Sequence, residues 1–541
     1  MPELTRPKLR HPNRWRWLAL FAATAVFLYY VGRFHVPGRG FTALINFGEH
    51  HAARYLAEID PATTYITPNS DGYDSQWYAQ LAVQPDLDDP RLTEAIDNLP
   101  YRARRILFCW TAHGLGLGQP RWVLEAFALQ NVLSWLLLGA LLLRWLPPTN
   151  WGNVARWLAV MFSFGLAFSV RGSLVDGPGL LLIAVGVALL ESGRPWLAAF
   201  VLGVNGLGKE TCVLAGSALA RPTENNLRGW IGVALRGLLV AAPLLLWTAY
   251  TVIHFGAGAS DTGARNFAAP FAEFLHKAVV SARELRSGAP LLPYTICGLF
   301  AVLSLATQVL FLALRPRWRD AWWRIGVSFG LLMAVLGESV WEGYPSAATR
   351  VLLPMTLAFN LLLPRGGRWW PVFLLGNLSI LGTPNFLRLP VGTEPPVLEA
   401  PAALLRNESG DGRLTVELAG PWFPSEQSTG DQWRWTGGDV ELVVHNPHTS
   451  AVEATLTFGL SSRSERSLLI QATNTELWRG TASANRQEVT VPSLRLPPGE
   501  TRIAFRSDRP AEISSENHDD RRLLFRISAL KLMVQPRAAS K

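Results

Sequence analysis

The chain has 541 residues, 49% of them hydrophobic and only 17% charged, with a mean hydropathy of +0.16. That composition excludes a disordered, coiled-coil or collagen-like chain, and it argues against an ordinary soluble enzyme because the apolar residues fall in long blocks. Net charge is +9, carried almost wholly by arginine, and in a membrane chain such an excess reflects topology and lipid headgroups rather than nucleic acid.

An apolar run of about 18 residues or more is long enough to span a bilayer. The first lies at Trp17–Val31, behind Arg6, Lys8, Arg10, Arg14 and Arg16. A cleaved signal peptide is the competing reading. The run ends in Tyr29, Tyr30 and Arg33 with no small-residue cleavage site, which favours an uncleaved anchor with residues 1–16 in the cytoplasm. Residues 35–105 then form a long polar and aromatic outer loop. Further spans are expected at about 120–143, 157–170, 177–190, 230–253, 293–314, 325–340, 350–363 and 369–386. Between 195 and 220 the pattern is broken by Asn205, Gly206, Gly208, Lys209 and Glu210, so two short helices meeting inside the protein are expected there.

The expected fold is thus an α-helical polytopic membrane body over 17–390, with nine full spans and a broken re-entrant pair. The arginines support this orientation. The expected cytoplasmic turns hold Arg144 and Arg156, Arg194, Arg221 and Arg228, the run Arg315 to Arg324, and Arg365 with Arg368. The protein is therefore expected in the inner, cytoplasmic membrane.

From 391 to 410 prolines mark a linker. Over 411–541 short alternating runs such as Asp439-Val-Glu-Leu-Val-Val are separated by turn signals, including Asn446-Pro and Pro497-Pro-Gly. They read as an all-β sandwich on the extracytoplasmic, periplasmic side. It resembles the jelly rolls that accompany carbohydrate-active proteins, and it either binds glycan or braces the membrane body. Cys109, Cys212 and Cys297 form no Cys-x-x-Cys pair and lie outside this region, so no disulfide framework or zinc site is expected.

Two elements of the outer loop can carry chemistry. The first is Asp71-Gly-Tyr-Asp-Ser-Gln-Trp-Tyr. If Ser75–Val83 is helical, Asp74 lies at its N-cap, where it either does no more than cap or offers a carboxylate near the membrane. The second is Pro100-Tyr-Arg-Ala-Arg-Arg-Ile-Leu. Arg102, Arg104 and Arg105 sit where the loop returns to the bilayer, and they suit either a lipid phosphate or general headgroup contact.

Together the two elements resemble bacterial members of the GT-C superfamily of membrane glycosyltransferases. The likeness rests on Tyr73-Asp-Ser-Gln-Trp-Tyr and Pro100-Tyr-Arg-Ala-Arg-Arg-Ile-Leu, joined by Asp176-Gly-Pro at an outer turn and Gly208-Lys-Glu-Thr in the broken pair. It covers about residues 15–390 and not the C-terminal region. Ser75 stands where the family usually has Gly, which puts the turn geometry in question, and Phe108-Cys109 where a Pro often follows.

The resemblance implies a donor sugar on a polyprenyl-phosphate carrier, mannose-type in relatives, and transfer to a cell-surface glycan or other extracytoplasmic acceptor. It implies Asp74 as general base, with Asp71 replacing or assisting it. It assigns Arg102, Arg104 and Arg105 to the departing lipid phosphate. Tyr73, Gln76, Tyr78, Tyr101, Asp176 and Glu210 would support the site.

Lys209 either reaches the carrier phosphate or joins Glu210 in holding the broken helices together. Arg350 is a further phosphate ligand or an interface anchor, with Glu338 and Glu342 as candidate partners. Glu125 and Asn131 suit a polar network inside the second span, and His113 a satisfied core position. No metal site is assigned. A divalent cation is possible in the family, and Asp86-Leu-Asp has the spacing to hold one, but it also reads as an exposed acidic turn. Two other functions fit the composition. A transporter for a lipid-linked glycan would need the arginines but no carboxylate base. A noncatalytic assembly component would work through its β region.

Overall fold

The computed structural model describes residues 14–67, 70–222, 224–256, 266–286, 293–341, 346–385, 406–407, 414–423, 426–428, 431–446, 450–472, 475–513 and 521–534. The chain divides into two compact units, Met1–Thr67 with Asp71–Pro390, and Pro68–Ser70 with Val391–Lys541.

The first unit is helical. Helix α1 (Arg14–Gly32) is apolar on nearly every face, and only Leu20, Phe27 and Val31 are buried. Phe27 stacks on Trp135 with ring centres 3.7 Å apart, while Trp15, Phe21 and Tyr29 stay exposed. An apolar helix so exposed is stable only in lipid. The outer loop that follows is itself folded. Strands β1 (Phe47–Gly48) and β2 (Ile66–Thr67) pair in parallel, and helix α2 (Ser75–Val83) is buried along its whole length. Its pattern suggests an amphipathic helix, but Gln76 and Gln80 face protein rather than water. Gln80 accepts from Leu56 N at 3.0 Å and donates to Ala95 O at 3.0 Å, which compensates their burial. Short helices α3 (Arg91–Ala95) and α4 (Leu99–Ala103) close the loop.

The chain continues through α5 (Leu107–Leu115), α6 (Pro120–Leu142), α7 (Trp151–Met161), α8 (Phe164–Arg171), α9 (Asp176–Glu191) and α10 (Pro195–Asn205). A 3-10 stretch at Glu210–Leu219 leads to α11 (Leu227–Phe255), α12 (Ala272–Arg286), α13 (Pro293–Leu314) and α14 (Ala321–Val335). Last come α15 (Glu338–Trp341), α16 (Ser346–Val351), α17 (Leu353–Leu362) and α18 (Trp370–Leu375).

Among the described residues four helical segments are long and apolar enough to cross a membrane: α1, α6, α11 and Cys297–Leu314. The pair α7 and α8, bent by 45°, makes up to five. Among the described residues, the nine full spans expected from hydropathy are thus not seen as nine continuous helices of spanning length. The run at 157–170 is interrupted at Phe162-Ser163, the one at 350–363 before Pro354, and the one at 369–386 by turns beyond Leu375. Hydropathy senses apolar content, whereas a Pro or a bend ends a helix without changing that content. Several long apolar helices, two of them largely uncovered by protein, make this unit a membrane protein.

The second unit is built of strands. They are β3 (Arg406–Asn407), β4 (Thr415–Ala419), β5 (Glu426–Ser428), β6 (Asp431–Trp435), β7 (Val440–Asn446), β8 (Val452–Ser461), β9 (Arg466–Ala472), β10 (Thr475–Ala482), β11 (Gln487–Leu496), β12 (Gly499–Ser507), β13 (Glu512–Ile513), β14 (Arg522–Leu523) and β15 (Arg526–Val534). One sheet runs β10-β9-β12-β7-β4 and the other β11-β8-β15-β6-β5. Inward residues of both meet in one core, including Leu442, Ile470 and Phe505 from the first and Leu456, Phe458 and Ile527 from the second. Phe458 and Phe505 touch with ring centres 5.7 Å apart. This is a two-sheet sandwich with alternating inward and outward residues.

Candidate active site

The site is organised by the turn that leads into α2. Gly72 takes φ +71°, and a Cβ there would lie 2.4 Å from Gln76 Oε1 and 2.6 Å from Gly48 N. Only glycine fits such a turn without strain. Gln76 holds it by accepting from Gly48 N at 3.0 Å and donating to Asp71 O at 2.8 Å. Tyr73 N bonds Asn46 O at 3.1 Å. Ser75, where glycine was the expected residue, is buried, and its hydroxyl bonds the Ile45 carbonyl. The departure thus adds an anchor for the turn.

Asp74 makes no capping hydrogen bond. Its Oδ1 instead accepts from Arg102 Nη2 at 3.0 Å. Arg102 is held from behind by Asp97, through Nε at 2.9 Å and Nη2 at 2.7 Å. Asn98 caps α4 by accepting from Tyr101 N at 3.0 Å, and this fixes the short helix that aims Arg102 and Tyr101. Three residues on, Arg105 donates to Glu210 Oε2 at 2.9 Å, Tyr78 Oη at 3.1 Å and Tyr101 Oη at 2.9 Å. Arg102 also lies over the Tyr78 ring at 5.2 Å.

A second knot lies beside the first. Asp176, at the start of α9, accepts from Lys209 Nζ at 2.5 Å through one oxygen and from Arg350 Nη1 at 3.0 Å through the other. Arg350 Nη2 donates to Tyr73 Oη at 3.2 Å, so the second knot touches the residue next to Asp74. Gly208 lets the broken pair approach closely, since a Cβ there would lie 2.4 Å from the Phe108 ring.

Four cations (Arg102, Arg105, Lys209 and Arg350) thus meet four carboxylates (Asp74, Asp97, Asp176 and Glu210) in one region. Asp176 is 2% exposed and the Asp74 side chain 43%. The difference separates an inward anchor from a carboxylate that a substrate can reach. Desolvation by the surrounding protein pushes the Asp74 carboxyl up, but attraction to Arg102 and Arg350 outweighs it and holds the group below the usual carboxylate range. Asp74 is therefore ionised at neutral pH, and its Oδ2 makes no hydrogen bond among the described residues.

Several expectations change. Lys209 pairs with Asp176 and Glu210 with Arg105, so these neighbours tie the broken segment to α9 and to the end of the outer loop rather than bridging its two short helices. Arg350 pairs with Asp176 rather than with Glu338, which is exposed; Glu342 lies outside the described residues. The Asp71 carboxylate lies 2.9 Å from His50 Nδ1. Arg104 is half-buried at the end of α4. Asp97 was not among the sequence candidates, although its position five residues before Arg102 was the available signal. Glu125 accepts from Phe41 N at 3.0 Å, Asn131 donates to the Leu174 carbonyl, and His113 Nδ1 lies 2.9 Å from Ala82 O. All three serve the local frame.

No three His, Cys, Asp or Glu side chains converge on a metal-binding position among the described residues. Asp86 Oδ1 accepts from Asp88 N at 3.1 Å within the Asp-x-Asp turn, and Asp88 Oδ1 lies 3.8 Å from His254 Nδ1.

Fold and site together define a polytopic membrane protein with a cluster of paired charges beside its folded outer loop. No family model matches the chain, and no curated protein matches it. Among solved structures it is similar to arabinosyltransferase EmbB from Mycobacterium smegmatis at 11% identity, with a TM-score of 0.35. That likeness covers 98% of this chain, which spans 66% of the length of that one.

Proposed function

We propose that the protein is a GT-C-type membrane glycosyltransferase. It would move a sugar, hexose by analogy, from a polyprenyl-phosphate carrier to an extracytoplasmic glycan or similar acceptor. The observation that carries the reading is Asp74: an ionised, half-exposed carboxylate, the most exposed of the four in the cluster, beside two phosphate-competent arginines. The location proposed is the inner membrane, with the outer loop and the β unit on the extracytoplasmic side.

The chemistry follows from those residues. The acceptor hydroxyl oxygen attacks the anomeric carbon while the bond from that carbon to the carrier phosphate oxygen breaks. The bonding electrons leave with the phosphate, and the hydroxyl proton passes to Asp74 Oδ2. Arg102 and Arg105 present N–H groups where the negative charge of the leaving phosphate grows. A carboxylate held low is a weak base, so it suits a step in which bond breaking leads and the proton follows. Asp176 would hold Arg350 and Lys209 in place rather than touch substrate.

The test is complementation of a strain lacking the protein, with wild type or Asp74→Asn at matched membrane abundance, read by surface-glycan composition. Wild type restores a missing sugar and Asp74→Asn does not. Full restoration by Asp74→Asn would remove Asp74 as base and favour the transporter or assembly readings.

A further inference from the structure

One end of the helical unit is closed by arginine and tryptophan. Arg16 of α1 donates to the Thr149 carbonyl, just before α7. Arg156 of α7 donates from Nη2 to the Pro364 carbonyl at 2.9 Å, just past α17. Arg315, just past α13, lies 5.1 Å from the ring centre of Trp369, just before α18. These contacts bring the starts of α1, α7 and α18 and the ends of α13 and α17 together. Trp17, Trp151 and Trp370 are exposed at this end. Tryptophans and arginines gathered at one end of an apolar helix bundle mark a membrane–water interface.

A cavity of about 220 Å³ opens there, with Gly152, Arg156, Arg365, Gly366 and Trp370 in its wall, and none of its lining residues is acidic. Arg156 is 8% exposed. The Pro364 carbonyl takes one of its five N–H donors, and it forms no ion pair among the described residues. Arg365 is exposed, and its charge repels that of Arg156. It forms no hydrogen bond or ion pair among the described residues. Gly366 takes φ +135°, and a Cβ on Gly366 or Gly367 would meet nothing within 4 Å, so the wall beside Arg365 is open.

A buried guanidinium without a counter-charge is costly. The buried cations Arg102, Lys209 and Arg350 each have a carboxylate. Arg156 differs from them: it has a carbonyl, a second arginine and an open cavity. An anion placed in that cavity would supply the missing charge to both arginines.

We propose that this cavity binds the phosphate of an anionic glycerophospholipid from the leaflet on this side, the one proposed as cytoplasmic. A phosphodiester offers the paired oxygens that a guanidinium grips, and basic pockets between helices at headgroup level suit anionic lipids. A zwitterionic headgroup would bring its own cation up against the second arginine. Leu374 and Leu375, one turn beyond Trp370 in α18, are exposed and give acyl chains an apolar surface. A free phosphate would use the arginines but not Trp370, Leu374 and Leu375. The proposal goes beyond the transferase reading and does not depend on it, since the cavity is lined by none of the residues assigned to transfer.

The experiment titrates the full chain, delipidated in detergent, with phosphatidylglycerol, phosphatidylcholine or polyprenyl monophosphate, and counts bound lipid by native mass spectrometry. Phosphatidylglycerol binds about tenfold or more tighter than phosphatidylcholine. Arg365→Gln weakens phosphatidylglycerol binding by about tenfold, the scale of one lost charge-assisted contact. Arg319→Gln, at an exposed arginine between α13 and α14 outside the cavity, leaves it unchanged. Asp74→Asn also binds like wild type, which separates this site from the proposed catalytic one. Arg156→Gln abolishes the preference for phosphatidylglycerol; should that variant fail to fold, the exposed Arg365→Gln decides alone. Equal binding of the two phospholipids, or the same loss in Arg319→Gln as in Arg365→Gln, overturns the proposal. Displacement of phosphatidylglycerol by inorganic phosphate overturns it in favour of a soluble anion. Tighter binding of polyprenyl monophosphate, lost in Arg365→Gln, overturns it and assigns the cavity to the carrier.

Discussion

Arg105, at the end of the outer loop, closes on Glu210, which lies 105 residues later in the broken segment, at 2.9 Å. The same guanidinium reaches Tyr78 and Tyr101, so one side chain joins α2, α4 and the broken segment. Glu210→Gln keeps the shape but removes the counter-charge of Arg105. It is expected to lower stability by about 1–3 kcal/mol, read as a fall in Tm in detergent. Arg105→Lys keeps the charge and loses the forked geometry, so it is expected to impair transfer while Tm falls less than in Arg105→Ala.

Among the described residues, Asp176 alone forms ion pairs with both Lys209 and Arg350. Asp176→Asn strands two buried cations. Breaking one partner of a buried ion pair costs about 3–5 kcal/mol, so the variant is expected to accumulate poorly or unfold early. Removing Lys209 as well, as Asp176→Asn with Lys209→Met, is expected to recover part of that loss, measured as folded protein extracted from membranes. A double variant no better than the single one would show that the Lys209 pair contributes nothing.

Asp74→Asn is nearly isosteric at a half-exposed position, so Tm is expected to change little. Transfer is expected to fall by about a hundredfold or more, the range for a lost general base.

The pH dependence has a definite sign. In the proposed mechanism the active form of Asp74 is the carboxylate, and its pKa is held below the usual range chiefly by Arg102 and Arg350 against the opposing effect of desolvation. Activity should therefore persist as pH falls through the ordinary carboxylate range and be lost only below it, as Asp74 takes a proton. Arg102→Gln removes the nearest attraction and should move that acid limb to higher pH. A limb unmoved by Arg102→Gln would detach Asp74 from the titration.

Gly72→Ala places a Cβ 2.4 Å from Gln76 Oε1 in a left-handed turn. A cost of about 1–2 kcal/mol is expected from the backbone conformation alone. The displaced turn should reduce transfer by more than the modest change in Tm suggests, a difference seen by measuring both on the same preparation.

Local pattern was enough for much of the architecture. The apolar blocks identify a membrane chain, the β-rich character of the C-terminal region is legible in its alternation, and helix α2 begins and ends where Ser75 and Val83 suggest. These signals are local because hydropathy and turn chemistry act over a few residues. Continuity of the spans was less legible, since α7 and α8 share one apolar run yet bend by 45° between them.

The charge pairing was decided only by tertiary structure. Sequence neighbours Lys209 and Glu210 are legible as charges in a broken apolar segment, but only the fold shows that they go to Asp176 and to Arg105. Arg350 meets Asp176 across 174 positions, and Asp97 enters the site only because α4 turns Arg102 back onto it. Composition and periodicity by themselves determine that this chain enters a membrane and which short motifs are rich in chemistry. Which cation faces which carboxylate, and that Asp74 is the most exposed of the four while Asp176 is sealed, follows from long-range packing, because an ion pair depends on distance in space and no local pattern encodes it.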